Sequence, residues 1–196
     1  MRMRITRAAA VLALLALGCS DSPDSAGPEL GAAWSAYEQG QWQAAADDFL
    51  EAVGASPASA EAWCGLGWSR AALHASGHVE GDLREGVLAA FRQADRLRPD
   101  YVDAWAGLAE FHSAANDTLA ALEWARDAAD GGGAAYVFAH REAVTHRSLR
   151  KIAAWSLFKL GRYAEAGAQV RHVLPDFHYA GGADSLDVLL AGIDSL

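Results

Sequence analysis

The chain has 196 residues, of which 52% are hydrophobic and 21% charged, with 16 Lys+Arg against 25 Asp+Glu, two cysteines and seven tryptophans. That composition excludes collagen-like, mucin-like, disordered and polytopic membrane proteins. Cys19 and Cys64 alone make neither a disulfide framework nor a thiolate metal cluster, so stability must come from packing.

Arg2, Arg4 and Arg7 precede the apolar run Ala8 to Leu17, and Gly18-Cys19 follow. This is the layout of a secretory leader, too short to span a bilayer, which needs about 20 apolar residues. Leu15-Ala16-Leu17-Gly18-Cys19 resembles the lipobox of bacterial lipoproteins, with Ala16 where that family usually carries Leu. The resemblance implies a signal peptide over 1–18, lipidation of Cys19 and anchoring in the cell envelope; Ser20 after the cysteine resembles the outer-membrane signal, facing the periplasm. The alternative is a plain leader cut near Gly18. Residues 19–29 are rich in Ser, Pro and Gly and read as a flexible tether. Losing three arginines and no acid would take the net charge from −9 to −12, which disfavours nucleic-acid binding.

The remainder, 30–196, repeats itself. Ala62-Trp63-Cys64-Gly65-Leu66-Gly67 recurs as Ala104-Trp105-Ala106-Gly107-Leu108-Ala109, 42 residues later. Phe49-x-x-Ala52 before Pro57 matches Phe91-x-x-Ala94 before Pro99, and Gly40-x-Trp42-x-x-Ala45 matches Gly161-x-Tyr163-x-x-Ala166. Small residues pair across each unit, as in Ala33 with Ala45, Ala109 with Ala121 and Ala154 with Ala166, where close helix approach needs missing volume. In the second unit, Gly67 pairs with the larger Val87.

These marks resemble the tetratricopeptide repeat (TPR), a helix-turn-helix unit of about 34 residues. The resemblance implies an all-α, TPR-like helical solenoid of about four repeats. On its register the repeats span about 26–59, 60–101, 102–135 and 147–180. The second repeat is too long, and its surplus falls in a loop over His74 to Asp82. Between the last two repeats, Gly131-Gly132-Gly133 is hard to keep helical, since each glycine costs about 1 kcal/mol relative to Ala. Tyr136 to His140 alternates enough to be extended and tucked against the solenoid, with Thr145 or Ser148 capping the next helix. Leu186, Leu189, Leu190 and Ile193 share one face of a C-terminal capping helix at about 184–195.

In the TPR family the first helix of each pair lines a concave groove. Its ligand-facing positions, carried onto this chain, give Trp34, Tyr37, Trp68, Ala71, Glu110, Ser113, Ser148, Lys151, Trp155 and Phe158. An aromatic-lined groove suits an extended or helical peptide. The competing reading is that some of these rings pack against a neighbouring repeat or the 130–145 segment. Trp42, Trp63, Trp105 and Trp124 fall at packing positions and are expected in the core. No Asn stands at the ninth repeat position, which disfavours the family's clamp for peptide carboxyl termini. Charge is uneven. Residues 20–130 hold six basic and nineteen acidic side chains, whereas Ala139 to Val173 holds seven basic (Arg141, Arg147, Arg150, Lys151, Lys159, Arg162, Arg171) against Glu142 and Glu165.

The function implied is a non-catalytic protein-interaction scaffold of the bacterial envelope that takes a protein or peptide partner and needs no cofactor. The alternative is a metal-binding or metal-dependent envelope protein using His74, His78, Glu80 and Asp82. Cys64 reads as a small buried hydrophobe, because no histidine is locally placed to activate it. Nucleophile elbows, HExxH zinc sites, phosphate loops and dinucleotide fingerprints are absent.

Overall fold

A computed structural model describes residues 28–77, 82–181 and 185–196, and among these the chain forms nine helices. They are α1 (Pro28–Glu38), α2 (Trp42–Ala55), α3 (Ala60–Ala75), α4 (Leu83–Leu97), α5 (Val102–Ala114), α6 (Thr118–Gly132), α7 (His146–Lys159), α8 (Tyr163–Arg171) and α9 (Leu186–Asp194). The leader, Cys19 and tether residues up to 27 lie outside the described residues, as do His78 and Glu80, whereas Pro28 and Glu29, expected in the tether, open α1.

Within three of the pairs the turn is the same. Gly40, Asn116 and Gly161 take positive φ, at 76°, 57° and 72°. The next amide donates to the carbonyl five residues back, as Gln41 to Ala36, Asp117 to His112 and Arg162 to Leu157, all at 2.9 Å. This closes the carbonyls left open at a helix end.

Odd-numbered helices touch one another in series, α1 with α3, α3 with α5, α5 with α7 and α7 with α9; even-numbered helices touch only their chain neighbours. The odd row is therefore the inner, concave layer and the even row the outer one.

The layers are held apart by ring against missing side chain. Phe49 of α2 lies over Gly65, and Phe91 of α4 is wedged between Gly67 on α3 and Gly107 on α5; all five residues are buried. A Cβ at any of these glycines would enter the ring. The small-residue rows seen in the sequence, including Ala33, Ala45, Ala109, Ala154 and Ala166, are fully buried, and Val87 is accommodated at 0% exposure.

Two expectations are corrected here. Gly131 and Gly132 are the last residues of α6, and only Gly133, at φ 67°, leaves the helix. A Cβ on Gly131 would stand 3.0 Å from Trp105 and one on Gly132 2.8 Å from Tyr136, so close packing offsets their poor helix propensity. Trp42, Trp63, Trp105 and Trp124 are only partly buried and edge the core rather than filling it.

After α6 the chain lies against the concave face as a strap that folds back on itself through turns at 139–140 and 142–143, rather than running extended as expected. The Phe138 amide donates to the Val144 carbonyl at 2.8 Å, His146 donates to Tyr136 at 2.9 Å, and a lone antiparallel bridge joins Val137 to Thr145. Thr145 then caps α7, and Ser148 reciprocates to complete a capping box. At the far end, Leu189 and Ile193 of α9 bury their side chains completely.

Candidate functional site

The strap decides which part of the concave wall is open. Phe138 is 1% exposed and stacks on Trp68, with ring centroids 4.7 Å apart and planes at 18°. His140 stacks on Trp34 at 3.8 Å, and Phe138 meets the edge of the same indole at 5.9 Å. Asp103 on α5 ties both sides together: its carbonyl accepts from Trp68 Nε1 at 3.2 Å and its carboxylate from the Tyr136 hydroxyl at 2.8 Å. Burial pushes the Asp103 carboxyl above its usual range, partly offset by the Tyr136 hydroxyl.

Trp34, Tyr37 and Trp68 are consequently 4%, 6% and 2% exposed. They are buried rather than exposed to a partner, contrary to the expectation from their repeat positions, with Tyr37 and Trp68 only bordering a cavity between α3 and α5. The strap supplies the apolar cover that a groove ligand would otherwise supply. Phe158 is also misplaced by that expectation. It packs between Trp155 at 5.6 Å and Tyr163 at 5.3 Å and does not line the cavity beside α7.

Two openings lie on either side of α5. The first, about 460 Å³, runs between α3 and α5 and is lined by Tyr37, Trp68, Ala71, His74, Gly107, Glu110, Phe111 and Arg141. Burial raises the Tyr37 hydroxyl to about 12, against the pull of Arg141 on the strap. It also raises the Glu110 carboxyl, with Arg141 again opposing.

The second, about 610 Å³, lies between α5 and α7 and is lined by Glu110, Ser113, Ala114, Ser148, Lys151, Ile152, Trp155 and Lys159. Of the sequence-expected residues, Glu110, Ser113, Ser148, Lys151 and Trp155 come together here; Glu110 borders both openings. Lys151, Trp155 and Lys159 follow at i, i+4 and i+8, so one face of α7 carries an indole between two ammonium groups. Lys151 donates to the Asp194 carbonyl at 3.0 Å and Lys159 to Asn116 Oδ1 at 3.3 Å, which hold the two heads at the rim. Lys159 and Arg141 were visible in the sequence only as part of a basic run. The i+4 spacing of Lys151, Trp155 and Lys159 was the signal that singles out this face.

Much of that basic run has internal work. Arg150 is 4% exposed and donates to Gln169 Oε1 at 2.9 Å and to Asp130. Arg162 pairs with Glu165 at 2.6 Å, and Arg147 holds the carbonyls of Ser195 and Leu196 at 2.6 and 3.0 Å.

No three His, Cys, Asp or Glu converge on a common point among the described residues, and His74 instead meets the edge of Phe111 at 5.4 Å. Cys64 is fully buried, and loss of solvent drives its thiol pKa well up, away from the thiolate a nucleophile needs. No described helix is long and apolar enough to cross a membrane.

Neither a family model nor a curated protein matches the chain. Among solved structures, it is similar to the crystal structure of a thermophilic TPR protein from Thermus thermophilus. The match covers 86% of this chain and 80% of that one, at 18% identity and a TM-score of 0.57. Together with the helix order and the inner and outer rows, that likeness establishes the fold as an all-α, TPR-like helical solenoid closed by a C-terminal helix.

Proposed function

We propose that this chain is a non-catalytic interaction scaffold of the bacterial envelope, tethered by lipid on Cys19, which receives an extended protein segment between α5 and α7. The observation that carries the reading is the open 610 Å³ cavity on the concave row, where Trp155 and Lys151 face Glu110 and Ser113. Apolar area from a half-buried indole, rimmed by polar groups with free bonding capacity, is the composition of a binding hot spot. The fold supports a scaffold role by providing a rigid curved wall. The leader motif supports the envelope address, and several acyl chains at about 0.8 kcal/mol per buried methylene would anchor it durably.

Photo-crosslinking tests this reading in the native host. A crosslinking side chain at Ser113 or Ser148 should trap one and the same protein, and Trp155→Ala should abolish the adduct; the same probe at exposed Leu50 on α2 should not trap it. Mass measurement of the amino-terminal peptide should show acylated Cys19, and Cys19→Ala should release the chain from membranes. Adducts independent of Trp155, or an unmodified Cys19 in the native protein, contradict the respective halves.

A further inference from the structure

The α7 face that lines the second opening carries a spacing that selects its occupant. Lys151 and Lys159 are eight residues apart on one helix, so their backbone positions are about 12 Å apart at 1.5 Å per residue. Trp155 stands midway, with its ring on the same cavity. In an extended peptide, side chains i, i+2 and i+4 share one face and span about 13 Å. The two ladders match in length and in order of cation, ring, cation against anion, apolar group, anion.

We infer that the α5–α7 cavity takes an extended acidic peptide in which two carboxylate side chains four residues apart flank an apolar one. This rests on the reading of that cavity as the interaction site. Lys151 and Lys159 each use one of three ammonium donors on the protein, at the Asp194 carbonyl and Asn116 Oδ1, and keep two for a ligand. Those internal bonds also restrict the two heads, which lowers the ordering cost on binding. Glu110 on the opposite wall is the one acid among the described residues that line the cavity.

The test uses the full-length chain and fluorescent twelve-residue peptides, Gly/Ser-rich apart from three positions. Asp-x-Phe-x-Asp should bind at least tenfold more tightly than Asp-Phe-Asp or Asn-x-Phe-x-Asn, and more weakly as salt rises from 0.05 to 0.5 M. Lys151→Glu and Lys159→Glu, each still helical by circular dichroism, should weaken it about fivefold to tenfold. The double variant should instead prefer Lys-x-Phe-x-Lys. A crosslinker at Ser148 records where each peptide lies. Peptides that reach Ser148 with no preference for charge or spacing overturn this inference and leave the scaffold reading standing. Tighter binding of a uronic-acid oligosaccharide, competing at the same place, overturns it in favour of a glycan. If no peptide reaches Ser148 and no native partner crosslinks there, both readings fall.

Discussion

His140 lies flat on Trp34, with ring centroids 3.8 Å apart and planes 1° from parallel, and its Nδ1 faces Glu38 at 2.8 Å, across 102 residues of sequence. A carboxylate only accepts, so Nδ1 carries the proton. This contact fastens the strap, which begins beside the third hairpin, to the first. It buries Trp34 and Trp68 in the core and leaves the α5–α7 cavity, together with the smaller opening between α3 and α5, as the accessible part of the concave wall.

The tryptophans of the concave wall therefore divide by stability. Trp34→Ala and Trp68→Ala should each cost about 3–5 kcal/mol, as deletion of a buried aromatic does. Trp155→Ala, at a half-buried cavity wall, should cost under about 1.5 kcal/mol. Denaturant melts followed by circular dichroism check this; equal losses at all three positions would place Trp155 in the core.

Gly107 faces the Phe91 ring with no room for a methyl group. Gly107→Ala should destabilise by about 1–3 kcal/mol despite alanine's better helix propensity, because overpacking outweighs it. Adding Phe91→Leu should recover part of that loss. Additive effects in the double variant would show that the two residues do not share the contact.

Acid should weaken the α6–α7 junction. Burial and the neighbouring Arg150 guanidinium hold the His146 imidazole below its usual 6.5; its Nδ1 donates to Ala129 at 3.1 Å and Nε2 accepts from Arg150. His172 is lowered likewise, by burial and then Arg150. The unfolded chain thus binds protons that the folded one refuses, and stability falls as pH drops below about 6.5. Asp103 and Glu110, raised by burial, act in the opposite sense: their contribution is lost as pH climbs from the ordinary carboxylate range through their folded values. His146→Gln should lower stability at pH 7.5 yet flatten the slope between pH 6.5 and 5.5, read from denaturation midpoints.

Arg150 occupies the place of Trp63 and Trp105 in the repeat pattern. Arg150→Ala removes partners from Gln169, which is buried, and from Asp130, which is exposed. The loss should be about 2 kcal/mol, set chiefly by the buried amide. Gln169→Leu in the same background should restore part of it, measured by thermal melting.

The repeat core was legible because its contacts are local and periodic. Phe49, Phe91 and the glycines opposite them recur at fixed spacing, and Gly40 and Gly161 mark equivalent turns. The burial of Trp34 and Trp68 was not legible in the same way. Their cover comes from an irregular segment about 70 residues downstream of Trp68 and about 100 downstream of Trp34, whose alternation does not show what it lies against. Gly131 and Gly132 misled for a related reason: their helix propensity is local, whereas Trp105 and Tyr136, which reward the missing Cβ, arrive through tertiary packing. On α7 the useful cue was already present as Lys151, Trp155 and Lys159 on one face, but the family register also drew in Phe158, which turns toward Tyr163.

Hydrogen exchange of the strap amides tests the partition of the groove most directly. If the strap is fixed, the amides of Phe138, Val144 and His146, bonded to Val144, Arg141 and Tyr136, should exchange as slowly as those in the middle of α4. Exchange within seconds while α4 stays protected would mean that the strap opens on its own and that Trp34 and Trp68 are available to a partner after all.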